Sequence, residues 1–265
     1  MNKNKNLLKY LLIPVILAIN ACGIPKDLEY NYLLSKKYFL SKNDEKIIGS
    51  NNHKYLIKKL GHEFIDKNLK KYVEEIKNNI LLKTGNKDIF IKIYIFESKT
   101  FNAFTTMGGY IYISTNILNL LTRDELYALM SHEIAHIISR DHSEIHSLSI
   151  LYKNLKFTRG KLKSIIVSKS NDNNIFFKKF IMNKRRENEY KADKIALELL
   201  SKAGYDKRFL ILWLRKMEKY HKTITGPAKA FSTHPNIKDR IERAESLIDK
   251  SSRENAPTKF SVGTN

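Results

Sequence analysis

Two histidines stand four residues apart in this sequence, and a glutamate directly follows the first: His132, Glu133 and His136. On an α-helix, residues i and i+4 lie on the same face, so both imidazoles can reach one metal ion. Glu133 lies beside them and can act on a water molecule without ligating the metal. The pattern predicts a zinc-hydrolase site. The alternative, in a chain with eight histidines, is a buried structural pair.

A hydrolytic zinc site needs a third protein ligand and an open fourth position. We expect that ligand from a helix predicted over residues 185–204, where Glu189 and Asp193 are again four residues apart. Glu189 would bind the metal, and Asp193 would orient a histidine ligand through its distal nitrogen. The alternative is a solvated acidic pair, because Arg186 and Lys191 are close in sequence.

Four motifs in a fixed order resemble the HtpX, Oma and CAAX-prenyl-protease family of zinc metallopeptidases, over about residues 40–248. One is the HEIAH segment at 132–136, and another is the E-x-x-A-D pattern ending at Asp193. The others are His234-Pro235 followed by Arg240-Ile241, and a strand-and-turn segment made of Asn102, Ala103, Phe104, Gly108, Gly109 and Tyr110.

The resemblance implies a mostly helical α+β fold of the zincin type that holds one Zn²⁺ per chain. It has an active-site helix, a second ligand helix and a small β-sheet whose edge borders the cleft. The strand-and-turn segment would bind an extended substrate through main-chain hydrogen bonds. His234 and Arg240 would steady the oxyanion of the reaction; the alternative for them is a helix start and a surface arginine.

The first residues are typical of a secretory signal. Three lysines precede an apolar run at 11–19, and small residues follow it before Cys22. The stretch INAC resembles the lipobox of bacterial lipoproteins, which predicts a signal peptide over residues 1–21 and a lipidated Cys22. The alternative is simple cleavage that leaves a free thiol. Gly23 is not the aspartate associated with inner-membrane retention in many bacteria, so by resemblance we expect an outer-membrane anchor facing the periplasm. The protein resembles the small exported lipoprotein members of the family.

The net charge is +21, and +18 without the predicted signal peptide, which carries three lysines and no acidic residue. Such a charge suits nucleic acid, an anionic membrane or acidic substrates, or reflects lysines on solvated faces. Export argues against nucleic acid, whereas the basic region at 153–191 could contact anionic lipid.

Hydrophobic periodicity predicts a long helix over 55–82, a strand at 88–96, a hairpin at 101–114 and a helix capped near Thr122. Three more helices are predicted at 185–204, at 207–221 and from Pro235 onward, whereas 143–184 is predicted to be irregular. We expect an N-terminal segment at 22–50, a zinc metallopeptidase domain at 51–250 and a disordered tail at 251–265.

The sequence therefore predicts a zinc-dependent endopeptidase that acts on unfolded or misfolded cell-envelope proteins. The rival prediction, from another functional class, is an envelope-protein assembly or chaperone-like lipoprotein in which proteolysis is latent.

Overall fold

The computed structural model describes residues 40–149, 172–221 and 237–254. Within these ranges the fold is mostly helical with one three-stranded sheet, so the predicted fold class is confirmed. In chain order the elements are α1 (Lys42–Leu60), α2 (Lys67–Lys83), β1 (Lys92–Phe96), β2 (Ala103–Thr106), β3 (Tyr110–Ser114), α3 (Thr115–Leu120), α4 (Arg123–Ser139), α5 (141–149), α6 (Asp172–Ala203), α7 (Arg208–His221) and α8 (Ile237–Glu254).

The single helix predicted over 55–82 is wrong, because the chain forms two helices there. Gly61 ends α1 with φ of 93°, and the Asp66 carboxylate caps α2 by accepting hydrogen bonds from two backbone amides. Between the helices, the backbone amide of Phe64 donates to the carbonyl of Ile95 in β1. The connection is therefore held by the sheet, which a continuous helix would not reach.

The predicted irregular region is also wrong in part, because residues 141–149 are helical and α6 begins at Asp172. The hairpin is confirmed: β2 pairs antiparallel with β3, and β1 pairs parallel with β3 on its other side. The order β1-β3-β2 places β2 at one edge of the sheet.

The sheet buries both of its faces. Isoleucines that alternate along β1 and β3 face the main core, which α2, α4, α6 and α7 also line. Aromatic residues on the other face of the three strands form a second cluster with Leu56 of α1: Tyr94, Phe96, Phe104 and Tyr112. Consequently α1 covers the sheet face opposite the main core.

Gly49 brings α1 against the β2–β3 turn. A Cβ atom at this position would lie 2.2 Å from the carbonyl oxygen of Met107, so a larger residue would push the helix away. The helix thus crosses the boundary predicted between the N-terminal segment and the catalytic domain. No helix in the described ranges is long and apolar enough to cross a membrane.

Candidate metal centre

The helix α4 carries the two histidines and is buried almost all round. Thr122 and Glu125 form a capping box at its start, as the sequence predicted a cap there. Towards its end, His132, Glu133 and His136 are at most 5% exposed. Buried polar side chains need polar partners, and α6 and α8 supply them.

The helix α6 packs along α4 through small side chains. Ala192 and Ala196 are fully buried, and the lack of bulk there allows the two helices to approach closely. Glu189 and Asp193, on the same face of α6, are each 3% exposed. The alternative of a solvated acidic pair is therefore wrong for these two residues.

Three side chains place donor atoms around one point. His132 Nε2 lies 3.0 Å from His136 Nε2 and 3.5 Å from Glu189 Oε2, and His136 Nε2 lies 3.4 Å from Glu189 Oε1. Ligand atoms around a tetrahedral zinc, with bonds of about 2.0–2.1 Å, are separated by about 3.3 Å. Among the residues that the structure describes, this is the group able to hold a metal ion.

The second nitrogen of each ring is bound to a carboxylate. His132 Nδ1 lies 2.9 Å from Asp193 Oδ1, and His136 Nδ1 lies 3.0 Å from Asp141 Oδ2. In two neutral rings that donate from Nδ1, the lone pairs of both Nε2 atoms point toward each other, and a proton or a metal ion between them relieves the repulsion. The donor set therefore fits a metal ion.

The electrostatics of His136 lead to the same conclusion. Burial by itself lowers the pKa of this imidazole, but the carboxylates of Glu189 and Asp141 outweigh burial and raise the pKa to about 10. The surroundings of the ring thus favour positive charge at this point.

Arg240 of α8 is fully buried behind the ligands. Its Nε and Nη2 donate to the two oxygens of Asp193, both at 2.7 Å, and its Nη1 lies 2.9 Å from Glu189 Oε2. Burial alone would raise the pKa of Asp193, but Arg240 and His132 hold it below its usual range. The alternative of a surface arginine is therefore wrong for Arg240. Its role at the oxyanion stays a prediction, since its contacts here are with Asp193 and Glu189.

Asp141 was not predicted from the sequence. It follows Arg140, which ends α4 in the left-handed conformation with φ of 58°. Glu45 of α1 holds Arg140 in place by accepting from Nε at 2.7 Å, and the carbonyl of Leu40 accepts from Nη2 at 2.6 Å. This turn directs Asp141 back toward His136.

A cavity of about 270 Å³ opens beside the ligands His136 and Glu189. The last residues of β2 and the turn after it form one wall: Thr105, Thr106 and Met107. The strand-and-turn residues predicted to bind substrate flank this wall. Asn102, Ala103 and Phe104 precede it and are buried, whereas Gly108, Gly109 and Tyr110 follow it.

Their contact with substrate stays a prediction. Tyr110 stacks on His53 of α1, with ring centroids 4.5 Å apart. Two other predicted residues, Cys22 and His234, lie outside the described ranges.

Comparisons with known proteins agree with this arrangement. Residues 66–248 match peptidase family M48. The chain is 27% identical over 186 residues to the mitochondrial metalloendopeptidase OMA1 of Schizosaccharomyces pombe, covering 67% of this chain and 52% of that protein. It is 20% identical over 192 residues to the beta-barrel assembly-enhancing protease of Yersinia pestis, covering 69% and 39%.

A third relative is protease HtpX of Histophilus somni, which is 26% identical over 192 residues, covering 58% of this chain and 65% of that protein. The chain spans about half or less of the length of the first two relatives. The resemblance identified from the four motifs is confirmed, and the match covers the helices that carry all three donor side chains. The chain belongs to peptidase family M48.

Proposed function

We propose that the protein is a zinc-dependent endopeptidase that hydrolyses unfolded or misfolded proteins of the cell envelope. The observation that carries this proposal is the convergence of His132, His136 and Glu189 beside a buried Glu133 and an open cavity. A zinc ion held by the three side chains supplies Lewis-acid activation of a water molecule and of the scissile carbonyl.

The remaining chemistry belongs to the chain itself. Glu133 accepts the proton of the attacking water and passes it to the leaving amine. Asp193 and Asp141 fix the ring orientation of His132 and His136, and Arg240 fixes Asp193 in turn. The edge strand β2, which ends at the cavity wall, holds the substrate as an additional strand.

The test is digestion of reduced casein by the full-length chain in detergent with one equivalent of Zn²⁺, beside Glu133→Gln. We expect the variant to keep its zinc and to lose about 10²- to 10⁴-fold in rate, the usual contribution of a general base. Full activity in Glu133→Gln would overturn the assignment. Zinc binding without cleavage by either protein would favour the chaperone-like alternative.

The proposed location rests on Cys22, whose lipidation would tether the domain to the outer membrane on its periplasmic side. Several acyl chains on one cysteine anchor a protein far more firmly than a single chain does. We expect Cys22→Ser to move the protein from the membrane fraction to the soluble fraction of the envelope. Retention of the variant in the membrane at high salt would contradict the anchor, whereas salt-sensitive retention would indicate anionic lipid contact.

A further inference from the structure

The cavity beside the metal ligands has a second wall, formed by α5 and α6, and the proposed reaction uses only Asp141 and Glu189 of it. The wall also carries four side chains whose nitrogen atoms can donate hydrogen bonds: His142, His146, Arg185 and Asn188. His142 and His146 lie one turn apart on α5, and Arg185 and Asn188 lie one turn apart on α6. Two elements therefore present hydrogen-bond donors to the same space.

Asn188 contributes a hydrogen-bond donor that has no acceptor in the part of this wall that the structure describes. The side chain is only 5% exposed, yet its Nδ2 finds no hydrogen-bond partner among the described residues. A buried amide without a partner costs free energy, so an incoming acceptor is favoured there. Arg185 is exposed at the same wall and makes no ion pair with any residue in the described ranges.

The acidic residues at the cavity are already bound to cations. Asp141 contacts His136 and lies 3.6 Å from the ammonium group of Lys191. Glu189 contacts the two histidine ligands and Arg240. Because their charge is compensated, these carboxylates do not exclude a further anion from the part of the same wall that Arg185 and Asn188 form.

We propose that the cavity is a substrate subsite for a carboxylate, which Arg185 and Asn188 bind. This inference rests on the proposed function and names the substrate class of that site. A guanidinium and an amide side by side suit the two oxygens of a carboxylate. The volume of about 270 Å³ holds a side chain or a chain end rather than a folded domain. The carboxylate belongs either to a glutamate or aspartate side chain or to the substrate's C-terminus.

The experiment uses the full-length, zinc-loaded chain and quenched fluorescent peptides in matched pairs. One pair differs by Glu or Gln at each position flanking the cleaved bond, and the other differs by a free or an amidated C-terminus. The variants are Arg185→Glu and, as a control, Lys194→Glu, which reverses one exposed charge on the same helix away from the cavity.

We expect wild type and Lys194→Glu to prefer the peptide with the carboxylate by about tenfold in kcat/KM, the effect of one charge-assisted hydrogen bond. Arg185→Glu should abolish that preference. A preference for Glu over Gln would show that the bound carboxylate belongs to a side chain. A preference confined to the pair with a free or an amidated end would show that it belongs to the C-terminus.

Equal cleavage of both members of each pair by wild type would overturn the subsite and leave the peptidase intact. A preference that survives in Arg185→Glu would also overturn it. If wild type cleaves no peptide, the same pairs, labelled with the fluorophore alone, are measured by fluorescence anisotropy on zinc-loaded Glu133→Gln, with and without Arg185→Glu. Weaker binding of the carboxylate peptide after Arg185→Glu would support the subsite, and unchanged binding would refute it.

Discussion

His53 on α1 and the pair on α4 are histidines with opposite surroundings. The ring of His53 stacks on Tyr110, and its Nδ1 lies 2.9 Å from the hydroxyl of Tyr112. The rings of His132 and His136 lie against carboxylates instead, through Nδ1 contacts of 2.9 and 3.0 Å. All three side chains are packed, but their partners differ in charge.

Burial lowers the pKa of both rings, and charged partners reverse that effect only at His136. Burial lowers the pKa of His53, and Lys92 lowers it further against a smaller opposing effect of Glu63. Burial also disfavours the charged form of His136, yet two carboxylates reverse the outcome and raise its pKa to about 10. In this structure, His136, which two carboxylates accompany, favours a positive charge, whereas His53, near Lys92, disfavours one.

The largest expected contrast comes from deleting one ring of each kind. We expect His136→Ala to abolish zinc binding and casein cleavage, because a ligand is lost. His53→Phe should keep both, since it lies in the aromatic cluster. Zinc content after dialysis and cleavage rate measure the contrast. If His136→Ala is active and binds one zinc ion per chain, His136 is not a required metal ligand, and the proposed difference from His53 is contradicted.

Asp193→Asn should have the next largest effect. It removes the main counter-ion of Arg240, whose side chain is fully buried. Breaking a buried ion pair from one side costs about 3–5 kcal/mol of unfolding free energy. Urea unfolding of the zinc-free protein measures this, with Asp249→Asn as an exposed control on α8. A loss no larger than the control's would show that Glu189 alone compensates Arg240.

Asp141→Asn sharpens the comparison within the metal centre. Its other contact, Lys191, is 43% exposed, so we expect a smaller loss of stability than for Asp193→Asn. The weaker orientation of His136 should lower zinc affinity by about 10- to 100-fold. Competition with a chromophoric chelator gives that affinity. An unchanged affinity would show that Asp141 has no part in holding the ring.

The smallest effect is expected at His53 and depends on pH. At pH 8, His53→Phe should cost about 1 kcal/mol, because the hydrogen bond with Tyr112 is lost. The folded pKa of His53 is below its ordinary value, so below about pH 6.5 the unfolded chain binds more protons and the wild type loses stability. The difference between wild type and variant should therefore shrink at pH 5 in urea unfolding. A difference that grows at pH 5 would contradict the direction of this shift.

Sequence periodicity places on shared helix faces the residues that form the candidate metal centre, but it does not predict their full environment. Spacing of four residues fixes one helical face, so the sequence alone pairs His132 with His136 and Glu189 with Asp193. Asp141 follows the end of α4, where helical spacing no longer applies. Its position depends on the left-handed Arg140 and on Glu45, which is distant in sequence.

The error at 55–82 has a similar cause. Apolar residues continue at helical spacing across residues 61–66, but the hydrogen bond from Phe64 to β1 decides the conformation there. Gly61 and Asp66 were local signals of a helix stop and start that periodicity outweighed. The backbone conformation of residues 61–66 is therefore decided by a contact with a segment distant in sequence, which the local pattern of apolar residues does not predict.

The contact of Gly49 with the turn after β2 bears on how far the cavity can lie from the membrane. Through it, α1 is both a wall of the cavity, at Asn52, and the element nearest to the proposed lipid on Cys22. The chain from Cys22 to Leu40 extends at most about 60 Å, and Asn52 lies about 18 Å farther along the helix. With Cys22 lipidated as proposed, the candidate metal centre would lie within about 80 Å of the bilayer surface, and so would the substrates that it reaches.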